Sequence, residues 1–72
     1  PYFRGSSVTM KPEDTLAGAY RKMKMYDVSQ LPVIARGSII GIIDETDILL
    51  AVAGNPDGFS IPISQVMTQN LV

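Results

Sequence analysis

Two short aliphatic runs joined by a glycine-containing connection constrain this fold more than any other feature of the sequence. The first run, SQLPVIA, ends at Ala35, and the second, IIGIID, begins at Ile39. Runs of about 4–8 residues with so many branched aliphatic side chains favour strands over helices. The residues between them, Arg36-Gly37-Ser38, are typical of a tight turn. The sequence therefore predicts a β-hairpin, with Pro32 at the entry of its strand or beside a sheet edge.

A helix is predicted on each side of this hairpin along the chain. The first covers residues 15–26, and its apolar side chains follow the i, i+3, i+4, i+7 spacing of one face: Leu16, Ala19, Tyr20 and Met23. The second covers residues 44–53 and stops at Gly54-Asn55-Pro56. A short strand is expected around Val8 and Thr9. The resulting order is β-α-β-β-α, an α+β module with two helices packed on one side of a small sheet.

Two glycines lie inside these predicted elements, where glycine is unfavourable. Gly18, in the first helix, costs about 1 kcal/mol relative to alanine. Gly41, in the second strand of the hairpin, adds no side chain to the packing. Because a missing side chain lets another segment approach closely, we expect a neighbouring backbone near Gly18 and a ligand or neighbouring segment near Gly41.

The chain is short for a domain that must stand alone. A domain of this size buries only about 60% of the surface that its unfolded chain exposes. The sequence has no cysteine for a disulfide, and its apolar fraction of 46% is generous. One face of the predicted sheet also has no helix to cover it. We therefore expect a homodimer that forms through the exposed sheet and helix surface.

Charge and composition exclude several classes of partner and activity. A net charge of −1 offers no field for nucleic acid or an anionic membrane, and no apolar run reaches the roughly 18 residues that span a bilayer. The N-terminus, PYFRGSS, lacks a signal-peptide pattern, so the expected location is cytoplasmic. Without histidine, cysteine or a phosphate-binding glycine loop, we expect no metal site and no catalytic residue. The chain itself is not expected to be an enzyme.

The combination of these segments resembles a CBS domain, a small regulatory module. The resemblance is carried by Val8-Thr9, by Asp14-Thr15-Leu16, by the run from Val28 to Val33, and by Gly41-Ile42-Ile43 followed by Asp47. MYDVSQLPV and GIIDETDILL are similar to the C-terminal region of bacterial cystathionine β-synthase-like enzymes. That similarity implies a pyridoxal-phosphate-dependent lyase as the parent protein, with its catalytic residues outside this chain.

The resemblance implies an organisation in paired modules. Residues 1–7 would be a linker from an absent upstream domain, and residues 8–53 would form the module. Residues 54–72 would hold a linker, with a helical turn near residues 62–67, and the start of a second, truncated module. Family members bind adenosyl ligands such as AMP, ATP or S-adenosylmethionine between paired modules, and so regulate a parent protein.

Seven residues form the ligand-binding site that the resemblance implies: Val8, Thr9, Gln30, Leu31, Pro32, Asp44 and Asp47. The residues from 30 to 32 would line an adenine slot. Asp47 matches the last residue of the family pattern G-h-h-T-x-x-D, where h is apolar and the carboxylate accepts hydrogen bonds from both ribose hydroxyls. Asp44 replaces the threonine of that pattern, which usually contacts phosphate. An aspartate here is also a favoured helix N-cap, so capping is an additional or alternative role for Asp44.

A carboxylate at that position matters for ligand choice. Two like charges in contact repel more strongly as their surroundings become less polar. The site is therefore expected to prefer an S-adenosylmethionine-like ligand, with a ribose and a positive centre, over AMP or ATP. The alternative is a structural dimerisation module whose pocket is vestigial and empty.

Overall fold

The structure, a computed structural model, describes residues 8–69 of the chain. Its regular elements are two helices and two strands: α1 (Leu16–Tyr26), β1 (Gln30–Ala35), β2 (Ser38–Asp44) and α2 (Glu45–Val52). Two 3₁₀ turns follow, at Gly58–Ser60 and Ile63–Gln65. Neither helix in this part of the chain is long and apolar enough to cross a membrane.

The predicted hairpin is confirmed. β1 and β2 pair antiparallel, with Gln30 opposite Asp44 and an irregular register after Val33. Arg36 and Gly37 make the turn, with positive φ angles of 54° and 77°. Positive φ at both turn residues matches the twist of the flanking strands, which explains why the connection has two residues and Ser38 already belongs to β2.

The strand predicted around Val8 and Thr9 is wrong, because of residues 8–10 only Met10 pairs with the sheet. Met10 forms a parallel bridge with Val33 at the outer edge of β1. Its N–H donates to the carbonyl of Pro32 at 3.0 Å, and its carbonyl accepts from the N–H of Ile34 at 2.8 Å. The chain then turns through residues 11–14, closed by an Asp14-to-Lys11 backbone bond, and this turn ends the pairing after one residue.

Pro32 lies inside β1 rather than at the entry of the strand. It stands opposite Ile42, which exchanges both backbone hydrogen bonds with Thr68 on its other side. Pro32 and Ile42 are therefore a non-hydrogen-bonded pair of the ladder. Because the N–H and the carbonyl of Ile42 both bond to Thr68, the missing N–H of the proline leaves no group of Ile42 unpaired.

Both helices cover the same face of the hairpin, as the predicted fold class requires. α1 contributes Leu16, Ala19 and Met23 to the core, and α2 contributes Ile48. The side chain of Thr15 accepts a hydrogen bond from the N–H of Gly18 and so caps α1. The buried apolar side chains of the described residues form one cluster: Met10, Leu16, Ala19, Met23, Leu31, Val33, Ile43, Ile48 and Ile63.

The segment after α2 returns to this core, and we call residues 61–68 the strap. Ile63, within the 3₁₀ turn expected near residues 62–67, is fully buried in the cluster. The strap is hydrogen-bonded to the start of α1, where the Leu16 N–H donates to Ile61 and the Ile63 N–H donates to Asp14. At its far end Thr68 pairs with β2. The division of residues 54–72 into a linker and the start of a second module stays a prediction.

Candidate functional site

The topology places three of the predicted site residues, Gln30, Asp44 and Asp47, at one end of the sheet. β1 begins at Gln30 and β2 ends at Asp44, and these two residues are paired in register. Asp47 follows in the first turn of α2. Because the segment at Met10 runs parallel to β1, Val8 and Thr9 precede the bridge on the side where β1 begins. We call the part formed by Gln30, Asp44 and Asp47 the acid-capped end.

The seven residues differ in what they can present to a ligand. The side chain of Leu31 is fully buried in the core, and Val8 packs against that core. These two side chains therefore serve packing more than recognition. Thr9, Pro32 and Asp47 are half-buried, and the set as a ligand site stays a prediction.

Asp44 holds the acid-capped end together. One carboxylate oxygen, Oδ1, accepts from the backbone N–H of Thr46 at 2.7 Å, which makes Asp44 the N-cap of α2 as predicted. The other, Oδ2, accepts from the side-chain amide of Gln30 at 3.0 Å. The Gln30 hydrogen bond, followed by the Thr46 N–H, lowers the pKa of Asp44 below its ordinary value. This end of the sheet therefore carries a fixed negative charge at neutral pH.

Asp44 should make the folded state sensitive to acid. Because its folded pKa lies below the ordinary 3.8, its carboxylate stabilises the fold above pH 3.8, and the contribution is lost as the pH falls through the lowered pKa. In Asp44→Asn the side chain can still cap α2 but does not titrate there. Urea unfolding at neutral pH and at about pH 3 should show a smaller acid loss in the variant than in the wild type. Equal losses would contradict this role.

An ion pair beside Asp44 balances part of the acidic charge. Lys24 Nζ lies 2.6 Å from Glu45 Oε2 and 5.0 Å from the centroid of the Tyr20 ring. The hydrogen bond to Glu45 raises the pKa of Lys24. This pair is not predictable from the sequence, because nothing local shows that residue 24 meets residue 45. With Glu45 paired, Asp44 and Asp47 remain as the acids that set the charge at the helix start.

An open groove of about 410 Å³ lies near the hairpin turn, away from the acid-capped end. It forms where the chain leaves the Met10 bridge and crosses the end of β1. Thr9 is the member of the predicted set that lines it, and no motif in the sequence marks the groove. We place the candidate site at the acid-capped end, because fixed hydrogen-bonding groups lie there. The groove is lined by Thr9, Met10, Lys11, Pro12, Glu13, Ile34, Ala35 and Arg36.

Comparisons with known proteins connect this arrangement to one family. The family model described as "CBS domain" matches residues 4–54. The CBS domain-containing protein YhcV of Bacillus subtilis is 31% identical over 64 residues, an alignment that covers 89% of this chain and 46% of that protein. Inosine-5'-monophosphate dehydrogenase of Korarchaeum cryptofilum is 32% identical over 63 residues, which is 88% of this chain and 12% of that protein.

A solved structure gives the same result. The CBS-domain containing protein of Agrobacterium tumefaciens superposes with a TM-score of 0.83 at 28% identity, covering 90% of this chain and 53% of that chain. The chain thus spans less than half of YhcV and about half of this solved chain. The match over residues 4–54, together with the observed order of helices and strands, shows that this chain belongs to the CBS domain family.

Proposed function

We propose that this chain is a regulatory module that binds an adenosyl ligand at the acid-capped end and changes the activity of the protein that contains it. CBS domains are ligand-sensing regulatory modules, which supports the class of function. The proposal rests on one arrangement. Gln30 is the strand partner of Asp44 and donates a hydrogen bond to it, and Asp47 lies in the first turn of α2. The Asp47 carboxylate can accept hydrogen bonds from both hydroxyls of a ribose.

The charge of the site supports a ligand without a phosphate at the Asp44 position. Both Asp44 oxygens already accept hydrogen bonds, and the group stays ionised. A phosphate brought beside it meets a like charge, and among the described residues the salt bridge at this end joins Lys24 to Glu45 and not to Asp44. We therefore favour an S-adenosylmethionine-like ligand, whose sulfonium is positive, over AMP or ATP.

Titration calorimetry with S-adenosylmethionine, adenosine and AMP tests the ligand proposal. Asp47→Asn should weaken binding of all three by roughly tenfold or more, because a hydrogen bond to a charged group is lost. Asp44→Thr keeps an N-cap and should selectively tighten AMP. Asp57→Asn, an exposed carboxylate beyond the far end of α2, is the matched control and should bind as the wild type does.

The outcomes of this titration separate the two parts of the proposal. Wild-type protein that binds AMP as tightly as S-adenosylmethionine would show that the charge argument is wrong, although adenosyl binding would stand. Absence of heat with all three ligands would instead support the second candidate function, a structural dimerisation module.

That second candidate rests on the exposed apolar side chains of the described residues. They lie on both helices, in the connection after α1, on the hairpin and in the first 3₁₀ turn: Met25, Tyr26, Val28, Ile39, Leu49, Leu50 and Phe59. A homodimer that covers part of this surface needs to bury at least about 1,000 Å² in total. Light scattering at micromolar concentration should then give twice the 7.8 kDa mass of the chain. A monomer would contradict the dimer proposal.

The parent protein is proposed to be a cystathionine β-synthase, a pyridoxal-phosphate-dependent lyase. The proposal is supported by the similarity of the segments MYDVSQLPV and GIIDETDILL to the C-terminal region of such enzymes. The curated relatives reported above carry other names, a CBS domain-containing protein and a dehydrogenase, and do not strengthen it. The full reading frame around this sequence decides the matter, since a lyase domain upstream is expected and a dehydrogenase would contradict it.

A further inference from the structure

The strap connects two distant parts of the module through backbone hydrogen bonds. Near its start, Ile63 and Ser64 donate to the carbonyls of Asp14 and Pro12, ahead of α1, at 2.7 and 3.0 Å. At its end, Thr68 and Ile42 exchange two bonds of 2.9 and 3.0 Å. We propose that the strap and the acid-capped end form one conformational unit, so that the strap responds to the state of Gln30 and Asp44.

The contact between the strap and β2 requires a glycine at position 41. A Cβ atom on Gly41 would lie 2.8 Å from Met67 Sδ and 2.9 Å from the carbonyl oxygen of Thr68. Such separations are well inside van der Waals contact, so any larger residue would push the strap away. The glycine therefore lets the strap lie directly against the strand that leads into Asp44.

Ile42 is the position through which the two parts communicate. It is paired with Thr68 on one side and stands opposite Pro32 in β1 on the other. Asp44 follows two residues later and is held by Gln30 from the neighbouring strand. Without the strap, β2 would be an edge of a two-stranded hairpin, which is marginal in water. Fraying of that edge loosens the Gln30 and Asp44 pair, and by thermodynamic reciprocity loosening the pair frays the strap.

The coupling between the strap and the acid-capped end exists without a ligand. That a bound ligand acts on the strap through it rests on the proposed function. NMR of the unliganded chain tests it through two signals. One is the side-chain amide of Gln30, which donates to Asp44, and the other is hydrogen exchange at the backbone amides of Ile42 and Thr68. Failure of calorimetric binding would count against the proposed function alone.

The forward experiment removes one bond of the strap. Thr68→Pro deletes the N–H that donates to Ile42, and Gln69→Pro is the matched control one residue later. Thr68→Pro should speed exchange at Ile42 by about tenfold, the scale of one hydrogen bond, and should shift the Gln30 side-chain amide signals. Amides of α1 should keep their protection, and Gln69→Pro should match the wild type.

The reverse experiment perturbs the acid-capped end. Gln30→Met keeps the length of an exposed side chain but removes the amide that donates to Asp44. Gln30→Met should speed hydrogen exchange at the Thr68 backbone amide. If Thr68→Pro unfolds the whole chain, the Gln30→Met result alone tests the coupling. Unchanged Thr68 exchange in Gln30→Met, together with unmoved Gln30 signals in any folded Thr68→Pro, would overturn the coupling.

Discussion

Replacing Ile63 by alanine is expected to lower the free energy of unfolding by about 2–5 kcal/mol. Ile63 has 0% of its surface exposed and belongs to the buried apolar cluster that both helices and the hairpin share. Its truncation removes buried methyl groups and leaves a cavity that the packed neighbours fill only partly. Because small domains are held by only about 5–15 kcal/mol, such a loss leaves little margin.

Urea denaturation followed by circular dichroism measures this effect. Gln65→Ala is the matched control, because Gln65 is exposed in the same 3₁₀ turn as Ile63 and its truncation should change stability by less than about 0.5 kcal/mol. The contrast tests whether the strap is part of the folded unit although it lies beyond residues 4–54, which the family model matches. Equal losses in the two variants would place Ile63 outside the core.

Gly58→Ala is expected to destabilise the module by about 1–3 kcal/mol. Gly58 is buried, and a Cβ there would lie 2.6 Å from the Cα atom of Val52. A backbone atom cannot move aside as the end of a flexible side chain can. The first 3₁₀ turn would therefore have to separate from the end of α2.

The same substitution at Gly18 should have the opposite sign. A Cβ on Gly18 would meet its nearest neighbours, Thr15 Oγ1 and Met10 Cε, at ordinary separations of 3.7 and 3.8 Å. In a helix interior, alanine is favoured over glycine by about 0.5–1 kcal/mol. Thermal melts should thus show a lower Tm for Gly58→Ala and a higher Tm for Gly18→Ala. Two shifts of the same sign would contradict the packing described for these glycines.

The elements with local signals could be predicted from the sequence. The turn at Arg36 and Gly37 follows from a glycine between two aliphatic runs, and α1 follows from the spacing of its apolar residues. Asp44 could be assigned as an N-cap because an aspartate before an apolar helix is itself the signal. Each of these features depends on residues within a few positions of one another.

The features that depend on distant residues could not be predicted in the same way. The bridge at Met10, the return of Ile63 to the core and the contact of Lys24 with Glu45 join segments whose proximity only the folded chain reveals. The bond from Gln30 to Asp44 likewise depends on strand register. At the candidate site, the cap was therefore predictable and its partner was not.

Gly18 and Gly41 show that the same local signal, a glycine inside a helix or strand, can predict a close neighbour correctly at one position and wrongly at another. We expected a close neighbour at both Gly18 and Gly41, since glycine inside an element is unfavourable. The strap does lie against Gly41, but the expectation at Gly18 is wrong, because within residues 8–69 no other backbone approaches it closely. A glycine inside an element allows another segment to approach it closely, but only the fold shows whether a segment does so.

The placement of Met10 and Thr68 also bears on aggregation. Strands as rich in isoleucine and valine as β1 and β2 would form a hazardous template for intermolecular pairing if both outer edges were free. Met10 occupies the outer edge of β1 and Thr68 that of β2, each by a single bridge, and Pro32 withholds one donor. Short flanking segments thus guard the hairpin against fibril-like growth without lengthening its strands.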